Sequence, residues 1–140
     1  MEQEFQAFLE AWEDTPEGIK NAFVRLNENL AIKNGIRLTF KARPGISYSL
    51  RATHALQKKR ALFVIIDVID DDDEPKNRWL SVCFYPDMIT DPEERGNLIP
   101  WGLLEEDGYC FDLEEWDEQY LRYLEARQDE AYASASKEAL

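Results

Sequence analysis

Two runs of β-branched and aromatic residues in the middle of the chain dominate its hydrophobic pattern. The first covers residues 62–69 and the second covers residues 79–85, with a polar, proline-containing connection between them. Such runs on either side of a polar connection are typical of two antiparallel strands. Side chains alternate along a strand, and both faces of the first run are mostly apolar. The pattern therefore predicts that this pair lies at the centre of the sheet and is covered on both sides.

The pattern before residue 36 has the period of two helices. Apolar side chains spaced three and four residues apart predict a first helix that ends near Asp14. Thr15 and Pro16 then form a typical helix start, an N-cap followed by proline at the first helical position. A second stripe continues until Asn34 and Gly35, which end the helix. The apolar positions of the two stripes are Phe5, Phe8, Leu9 and Trp12, then Ile19, Phe23, Leu26 and Leu30.

From residue 36 the period changes to two, which is typical of half-buried strands. Apolar residues alternate with polar ones over residues 36–43 and again over residues 46–53. Pro44 and Gly45 lie between the two segments and indicate a turn. The pattern predicts a strand pair with an apolar inner face and a polar, basic outer face. The outer-face residues are Arg37, Thr39, Lys41, Arg43, Ser47, Ser49, Arg51 and Thr53.

Turn-forming and acidic residues fill the segment that follows the second central strand. Three prolines and Gly96 predict a long ordered loop over residues 86–100. Residues 101–104 and 109–111 are too apolar to be left in water. We therefore expect both segments to lie over the second face of the central strands, with residues 109–111 as a short edge strand.

The last part of the chain has helical spacing. Asp112, followed three residues later by Glu115, resembles a capping box. It predicts the start of a long helix that runs to about Ala133, with residues 134–140 as a frayed tail. The chain is therefore expected to form one α+β domain over residues 1–133. It combines two N-terminal helices, a four- or five-stranded, mainly antiparallel sheet and a long C-terminal helix, with the helices on one face and the strands paired sequentially.

The charge balance limits the partners that the protein is expected to bind. The 140 residues include 29 acids against 16 Lys and Arg, for a formal net charge of -13. This excess of acid favours solubility and disfavours nucleic acid and anionic membranes as partners. The sequence shows no basic signal region and no apolar run of membrane-spanning length, so a cytoplasmic protein without a membrane partner is expected. Cys83 and Cys110 lack metal or redox spacing and are expected to be small buried side chains in a reducing compartment.

Three groups of residues could suggest metal binding, catalysis or a ligand site, and each also has a simpler structural explanation. The acid run of residues 70–74 lacks the glycine of a calcium loop and is followed by Pro75, which favours a solvated hairpin tip. The single histidine, His54, lies near serines but without a nucleophile elbow or an oxyanion-hole motif, so we expect it in a surface loop. The four tryptophans are expected in the core. We therefore expect no catalytic set, metal site or cofactor.

Charge segregation is the unusual feature of the sequence. Residues 31–66 contain no Asp or Glu but hold eight of the 16 basic residues. A basic sheet face of this kind could hold a phosphate, a nucleic acid backbone or an acidic partner. Alternatively, the bases pair with Asp67, the acid run and the C-terminal helix, or simply face solvent. The candidate binding residues are Arg37, Lys41, Arg43, Arg51, His54 and Asp67.

Four segments together resemble a family of small bacterial proteins to which no function is assigned. They are residues 40–45, 68–72, 79–85 and 108–112, so that the similarity spans most of the chain. The resemblance implies a bacterial, cytoplasmic origin and carries no site residues. The order of elements is also similar to that of small bacterial α+β domains of the MmcQ/YjbR type, by layout only, and a shared layout does not assign a function.

These observations favour a non-enzymatic protein-binding or regulatory module. Its segregated basic and acidic surfaces are expected to dock a protein partner, or a second copy in a homodimer. One alternative is a small-molecule or phosphoester enzyme with its site on the basic sheet face, near Arg51, His54, Arg37 and Asp67. Another is an acidic DNA mimic, which requires the acids of residues 105–118 and those of the acid run to line one face.

Overall fold

The computed structural model describes residues 2–70 and 77–139. These residues form the helices α1 (Glu2–Ala11), α2 (Ile19–Ala31) and α3 (Glu118–Ser136). Their strands are β1 (Ile36–Arg43), β2 (Ser47–His54), β3 (Val64–Ile69), β4 (Trp79–Phe84), β5 (Asn97–Leu103) and β6 (Glu106–Leu113). Short 3-10 turns follow β4 at Pro86–Met88 and α3 at Lys137–Ala139. The α+β class and the long C-terminal helix are confirmed.

Within the described residues, six antiparallel strands form one sheet in the order β1-β2-β3-β4-β6-β5. The central position of β3 and β4 is confirmed. The prediction of four or five strands is wrong in number, because β5 begins inside the segment expected to be a loop. Pro100 and a register shift between Ile99 and Leu103 interrupt the alternation of side chains, so the sequence pattern does not predict this strand. β6 was expected as a short edge strand over residues 109–111, but it is an inner strand of eight residues between β4 and β5.

Two of the predicted helix starts are wrong. α2 begins after Gly18, whose φ of 73° is left-handed, so Thr15 does not cap this helix. α3 is capped by Asp117, whose side chain accepts a hydrogen bond from the Tyr120 backbone N–H at 3.1 Å. The expected cap, Asp112, belongs instead to β6, because pairing with β4 extends that strand. At Asp112, strand pairing therefore outweighs the local capping pattern.

The helices pack on one face of the sheet through a layer of apolar side chains. The Phe8 ring of α1 stacks on Tyr48 of β2 with ring centroids 4.4 Å apart. From α3, the Tyr123 ring lies edge-on to Phe111 of β6, with centroids 6.2 Å apart. Directly paired residues point to the same face, so one apolar row crosses five strands beneath the helices. This buried row is Phe40, Leu50, Ile66, Val82 and Phe111.

Cys83 and Cys110 form a disulfide between β4 and β6. Their predicted burial is confirmed, but the expectation of unpaired cysteines is wrong. The reason is the strand register, which puts the two residues directly opposite each other. Disulfides persist mainly in oxidising compartments, so the bond runs counter to the reducing environment expected from the sequence. A cytoplasmic location stays a prediction.

α3 continues beyond the expected end at Ala133 and packs its last turn against the core. Ala135 is fully buried, and the Glu138 carboxylate accepts a hydrogen bond from the Lys58 backbone N–H at 2.6 Å. The fraying of residues 134–140 stays a prediction. None of the helices in residues 2–70 and 77–139 combines the length and the apolar character needed to cross a bilayer.

Candidate functional site

The sheet face that turns away from the helices, here called the open face, carries one polar row. The strand register brings the five members of this row side by side across five strands. They are Lys41, Ser49, Asp67, Ser81 and Asp112. Ser49 in the row is only 2% exposed, whereas Lys41 and Asp112 at its two ends are exposed. The charges available to a partner therefore lie at opposite ends of the open face, one basic and one acidic.

The basic end is formed by four side chains on β1 and β2, here called the basic rim: Arg37, Lys41, Arg43 and Arg51. The register confirms that these side chains share one face. Arg51 pairs with Thr39, and Thr39 lies on the same face of β1 as the three β1 bases, because side chains two residues apart point to the same side. The three bases on β1 are exposed and Arg51 is half-buried.

The basic rim forms no ion pair with any residue in the described ranges. Within the rim, the Arg43 guanidinium donates a hydrogen bond to the Ser47 hydroxyl at 3.1 Å. Elsewhere in the same segment, internal pairing does occur: Lys33 contacts Asp129 of α3 at 2.6 Å, and Arg60 contacts Asp87 at 2.8 Å. The bases that form ion pairs in the described residues are Arg25, Lys33, Arg60, Arg78, Arg122 and Arg127. Internal pairing thus holds for part of the basic segment, whereas among residues 2–70 and 77–139 the rim forms no ion pair, and the acid run at residues 71–74 lies outside this description.

Asp67 lies beside the rim, close enough for the charges of Arg51 and Arg43 to act on its carboxyl. Burial raises the pKa of the Asp67 carboxyl, and this effect exceeds the opposing influence of the Ser49 hydrogen bond and of the Arg51 and Arg43 charges. The Arg51 Nε is buried without a hydrogen-bond partner in the described part of the chain. A buried donor without an acceptor is costly, so Arg51 carries an unsatisfied hydrogen-bonding group within the described residues.

His54 stands apart from the other candidate residues. It is the last residue of β2 and is 6% exposed, not a surface-loop residue. Its ring packs against Tyr132 of α3 with centroids 5.2 Å apart, and its Nδ1 accepts a hydrogen bond from the Leu56 backbone N–H at 3.0 Å. It therefore lies on the helix side of the sheet, whereas Arg51 and Asp67 lie on the open face. The sheet therefore separates His54 from Arg51 and Asp67, with which it would have to act in an enzyme site.

A feature missed in the sequence lies in β5, the edge strand at the other side of the sheet from β1. Trp101 in this strand is 74% exposed and Leu104 after it is also exposed, so the placement of residues 101–104 over the central strands is wrong for these two residues, whereas Leu103 is buried. Trp101 has a φ of 58°, and its backbone N–H donates to the Asp107 carboxylate at 3.2 Å. Pro100 and Gly102 on either side are turn-forming residues and were the available signal. Trp12 is buried as expected, but Trp101 and Trp116 are exposed, which contradicts a core position for all four tryptophans.

The acids of β6 divide between the two faces of the sheet. Asp112 is exposed on the open face and forms no ion pair with the described residues. Asp107 is an odd number of residues from Asp112 and therefore lies on the helix side, while Glu106 is ion-paired with Arg60 at 2.9 Å. Glu105, like Trp101, has a left-handed backbone, with a φ of 69°. The open face therefore has an unpaired basic end on β1 and β2 and a single exposed acid, Asp112, on β6.

Metal binding has no support in the described ranges, where no three His, Cys, Asp or Glu side chains are grouped to hold an ion. Asp70, the first residue of the acid run, instead accepts a hydrogen bond from the Arg78 Nε at 2.6 Å. Residues 71–74, on which the calcium and hairpin-tip hypotheses depend, lie outside the described residues. Comparison with known proteins found no matching family model, no matching curated protein and no matching solved structure, so the function of this chain is inferred from its own geometry.

Proposed function

We propose that this chain is a non-enzymatic binding module that docks an acidic protein surface on its basic rim. The observation that supports the proposal is the lack of ion pairs at the rim within the described residues. In a chain with 29 acids, a free base has many carboxylates to meet, and bases elsewhere do meet them. An unpaired cluster on a rigid sheet is therefore available to a partner.

The spread of the rim favours a protein surface over a small anion. Arg37 and Arg43 are six residues apart on one strand, a distance of about 20 Å. A phosphate is held by groups that converge on one point, whereas these bases lie along a line. An acidic protein surface can meet such a line with several carboxylates at once, and the pairing adds specificity and speed to the encounter.

The enzyme alternative is less well supported by the same residues. It requires His54, Arg51 and Asp67 to act together, and the histidine lies across the sheet from the other two. A site that used Arg51 and Asp67 alone would depend on the Asp67 carboxylate as its base and on the Ser49 hydroxyl that donates to it, and Ser49 is only 2% exposed and therefore out of reach of a substrate. The acidic DNA mimic depends in part on residues 71–74, which the structure does not describe, so we do not favour it.

Capture from bacterial lysate tests the proposal when it compares matched variants. The rim variant reverses three charges as Arg37→Glu, Lys41→Glu and Arg43→Glu. The control reverses three bases that lie away from the open face, as Lys20→Glu, Lys59→Glu and Lys137→Glu, so both variants have the same net charge. We expect wild type and control to retain the same acidic protein at low salt and to release it at high salt, while the rim variant retains none.

Mass spectrometry of the retained proteins and small molecules distinguishes the outcomes. Equal retention of the protein by wild type and the rim variant would contradict the proposal. Retention of a phosphorylated metabolite without a protein would favour the enzyme alternative.

A further inference from the structure

β1 is an edge strand, and half of its backbone groups point away from the described sheet. Gly35 and Ala55 extend the β1–β2 register by one pair, and the Ala55 backbone N–H donates to the Gly35 carbonyl at 2.7 Å. Hydrogen-bonded pairs alternate with non-bonded pairs along antiparallel strands, so the odd-numbered residues of β1 use their backbone groups on β2. The even-numbered residues direct their N–H and C=O groups to the free edge. They are Ile36, Leu38, Phe40 and Ala42.

The two edges of the described sheet differ in how well they can pair with a further strand. β1 has eight residues, contains no proline and pairs with β2 in one continuous register. β5 at the other edge contains Pro100, which has no backbone N–H, and its register shifts between Ile99 and Leu103. Proline and bulges are features that block pairing at sheet edges. β1 is therefore the edge that is regular enough to accept another strand.

The side chains of β1 specify the composition of such a strand. Arg37, Lys41 and Arg43 of the basic rim are exposed on the open face and form no ion pair with the described residues. On the helix side, Ile36 and Leu38 pack against the core but are only half-buried. An added strand places its alternate side chains beside these two sets. Acidic side chains on one face and apolar side chains on the other match both sets.

Resting on the proposed function, we propose that the acidic partner adds an extended segment to the free edge of β1. Acidic and apolar side chains alternate along this segment, so its carboxylates meet the basic rim while its backbone pairs with the even-numbered residues of β1. In this mode of recognition the main-chain hydrogen bonds supply affinity and the alternate side chains supply specificity.

The charges of the rim exclude a second copy of this chain as the added strand. Two β1 edges in contact would bring the bases of both copies side by side, and like charges in neighbouring strands are unfavourable. The β5 edge of a second copy carries the proline and the register shift described above. Basic side chains on an edge strand commonly prevent self-association. The rim therefore opposes pairing between copies and favours an acidic segment from another protein.

A synthetic peptide tests the pairing on the intact chain. The probe has blocked ends and the length of β1, eight residues, with glutamate and valine in alternation. The control peptide has the same composition, with all glutamates before all valines. Calorimetric titration at low and high salt compares wild type with the rim variant and its control variant described above. We expect salt-sensitive binding of the alternating peptide to wild type and control variant, and binding about tenfold or more weaker for the rim variant and for the control peptide.

Amide hydrogen exchange, followed by nuclear magnetic resonance, reports the backbone pairing itself. We expect the amides of Leu38 and Ala42 to exchange quickly in the free protein and about tenfold or more slowly with the alternating peptide. The amides of Thr39 and Lys41 are the internal control, because they already bond to β2. Their exchange should be slow with and without the peptide.

Each result decides a separate part of the proposal. Unprotected Leu38 and Ala42 amides at millimolar alternating peptide would overturn strand addition at β1. Equal protection of these amides in the rim variant would overturn the requirement for acidic side chains. Rim-dependent retention of an acidic lysate protein, without amide protection by the peptide, would leave the proposed binding function standing and remove only strand addition.

Discussion

Asp91 ties the segment between β4 and β5 to the rest of the molecule. Its carboxylate accepts hydrogen bonds from the Tyr109 hydroxyl at 2.6 Å and from the Tyr123 hydroxyl. It also accepts from the backbone N–H groups of Gly96 at 2.9 Å and Arg95 at 3.0 Å. Burial alone would raise the pKa of Asp91, but these donors lower it to about 2. One ionised side chain thus positions a segment that its own sequence marks only as a loop.

The hydrogen bonds of Asp91 predict that the charge of this one side chain stabilises the fold. Its pKa of about 2 lies below the unfolded value, so the ionised carboxylate stabilises the fold above about pH 4 and this stability is lost as the pH falls through about 2. We expect Asp91→Asn to lower the free energy of unfolding by about 2 kcal/mol at pH 7, with a difference that shrinks toward pH 2. Urea denaturation at several pH values measures it.

The matched control for Asp91 is Glu93→Gln, which removes a charge from an exposed side chain two residues away. We expect this control to change stability by less than about 0.5 kcal/mol. A difference between wild type and Asp91→Asn that stayed constant from neutral to acid pH would show that the charge of Asp91 does not carry the effect.

At the scale of elements, β4 and β6 are joined twice, by backbone pairing and by the Cys83–Cys110 disulfide. The bond links residues separated by 27 positions, and it encloses the 3-10 turn at Pro86–Met88 and all of β5. Closing a loop of this length removes freedom from the unfolded chain. The disulfide therefore restrains the segment between β4 and β6, which includes β5.

We expect the double change Cys83→Ala with Cys110→Ala to lower the free energy of unfolding by about 3–4 kcal/mol, from loop entropy alone. Urea denaturation with and without a thiol reductant measures the loss. The wild type in reductant should approach the variant, and the variant should not respond to reductant. A wild type whose stability is the same in both conditions would contradict a stabilising role for the bond.

At the scale of the whole molecule, one apolar cluster connects every layer. It runs from Phe5 in α1 through the buried row beneath the helices to Ala135 in α3. The helices and strands therefore bury their apolar side chains in one common core. A core of this kind favours a single cooperative unfolding transition, and it supports the expectation of one domain.

Two spectroscopic probes test this cooperativity. We expect far-ultraviolet circular dichroism, which follows the backbone, and tryptophan fluorescence, which follows burial of Trp12, to give the same midpoint in urea. A lower midpoint for fluorescence would show that the surroundings of the tryptophans are lost before the rest of the backbone unfolds, which contradicts a single cooperative transition.

Features that depend on local periodicity can be predicted from the sequence alone. The stripes of α1 and α2, the alternation along β1 and β2, and the apolar runs of β3 and β4 are each visible within about a dozen residues. The shared face of Arg37, Lys41 and Arg43 follows from the same alternation, and Arg51 joins them once the hairpin is assumed. Most of the candidate site was therefore predictable, and so was the α+β class.

Features that depend on a partner strand become visible only in the folded chain. β5 is a strand because β6 pairs with it, despite Pro100, and β6 is long because β4 pairs with it on the other side. The same register opposes Cys83 to Cys110, and it sets His54 on the face away from Asp67. These relations join residues far apart in the chain, and no local pattern encodes which distant segment will become a neighbour.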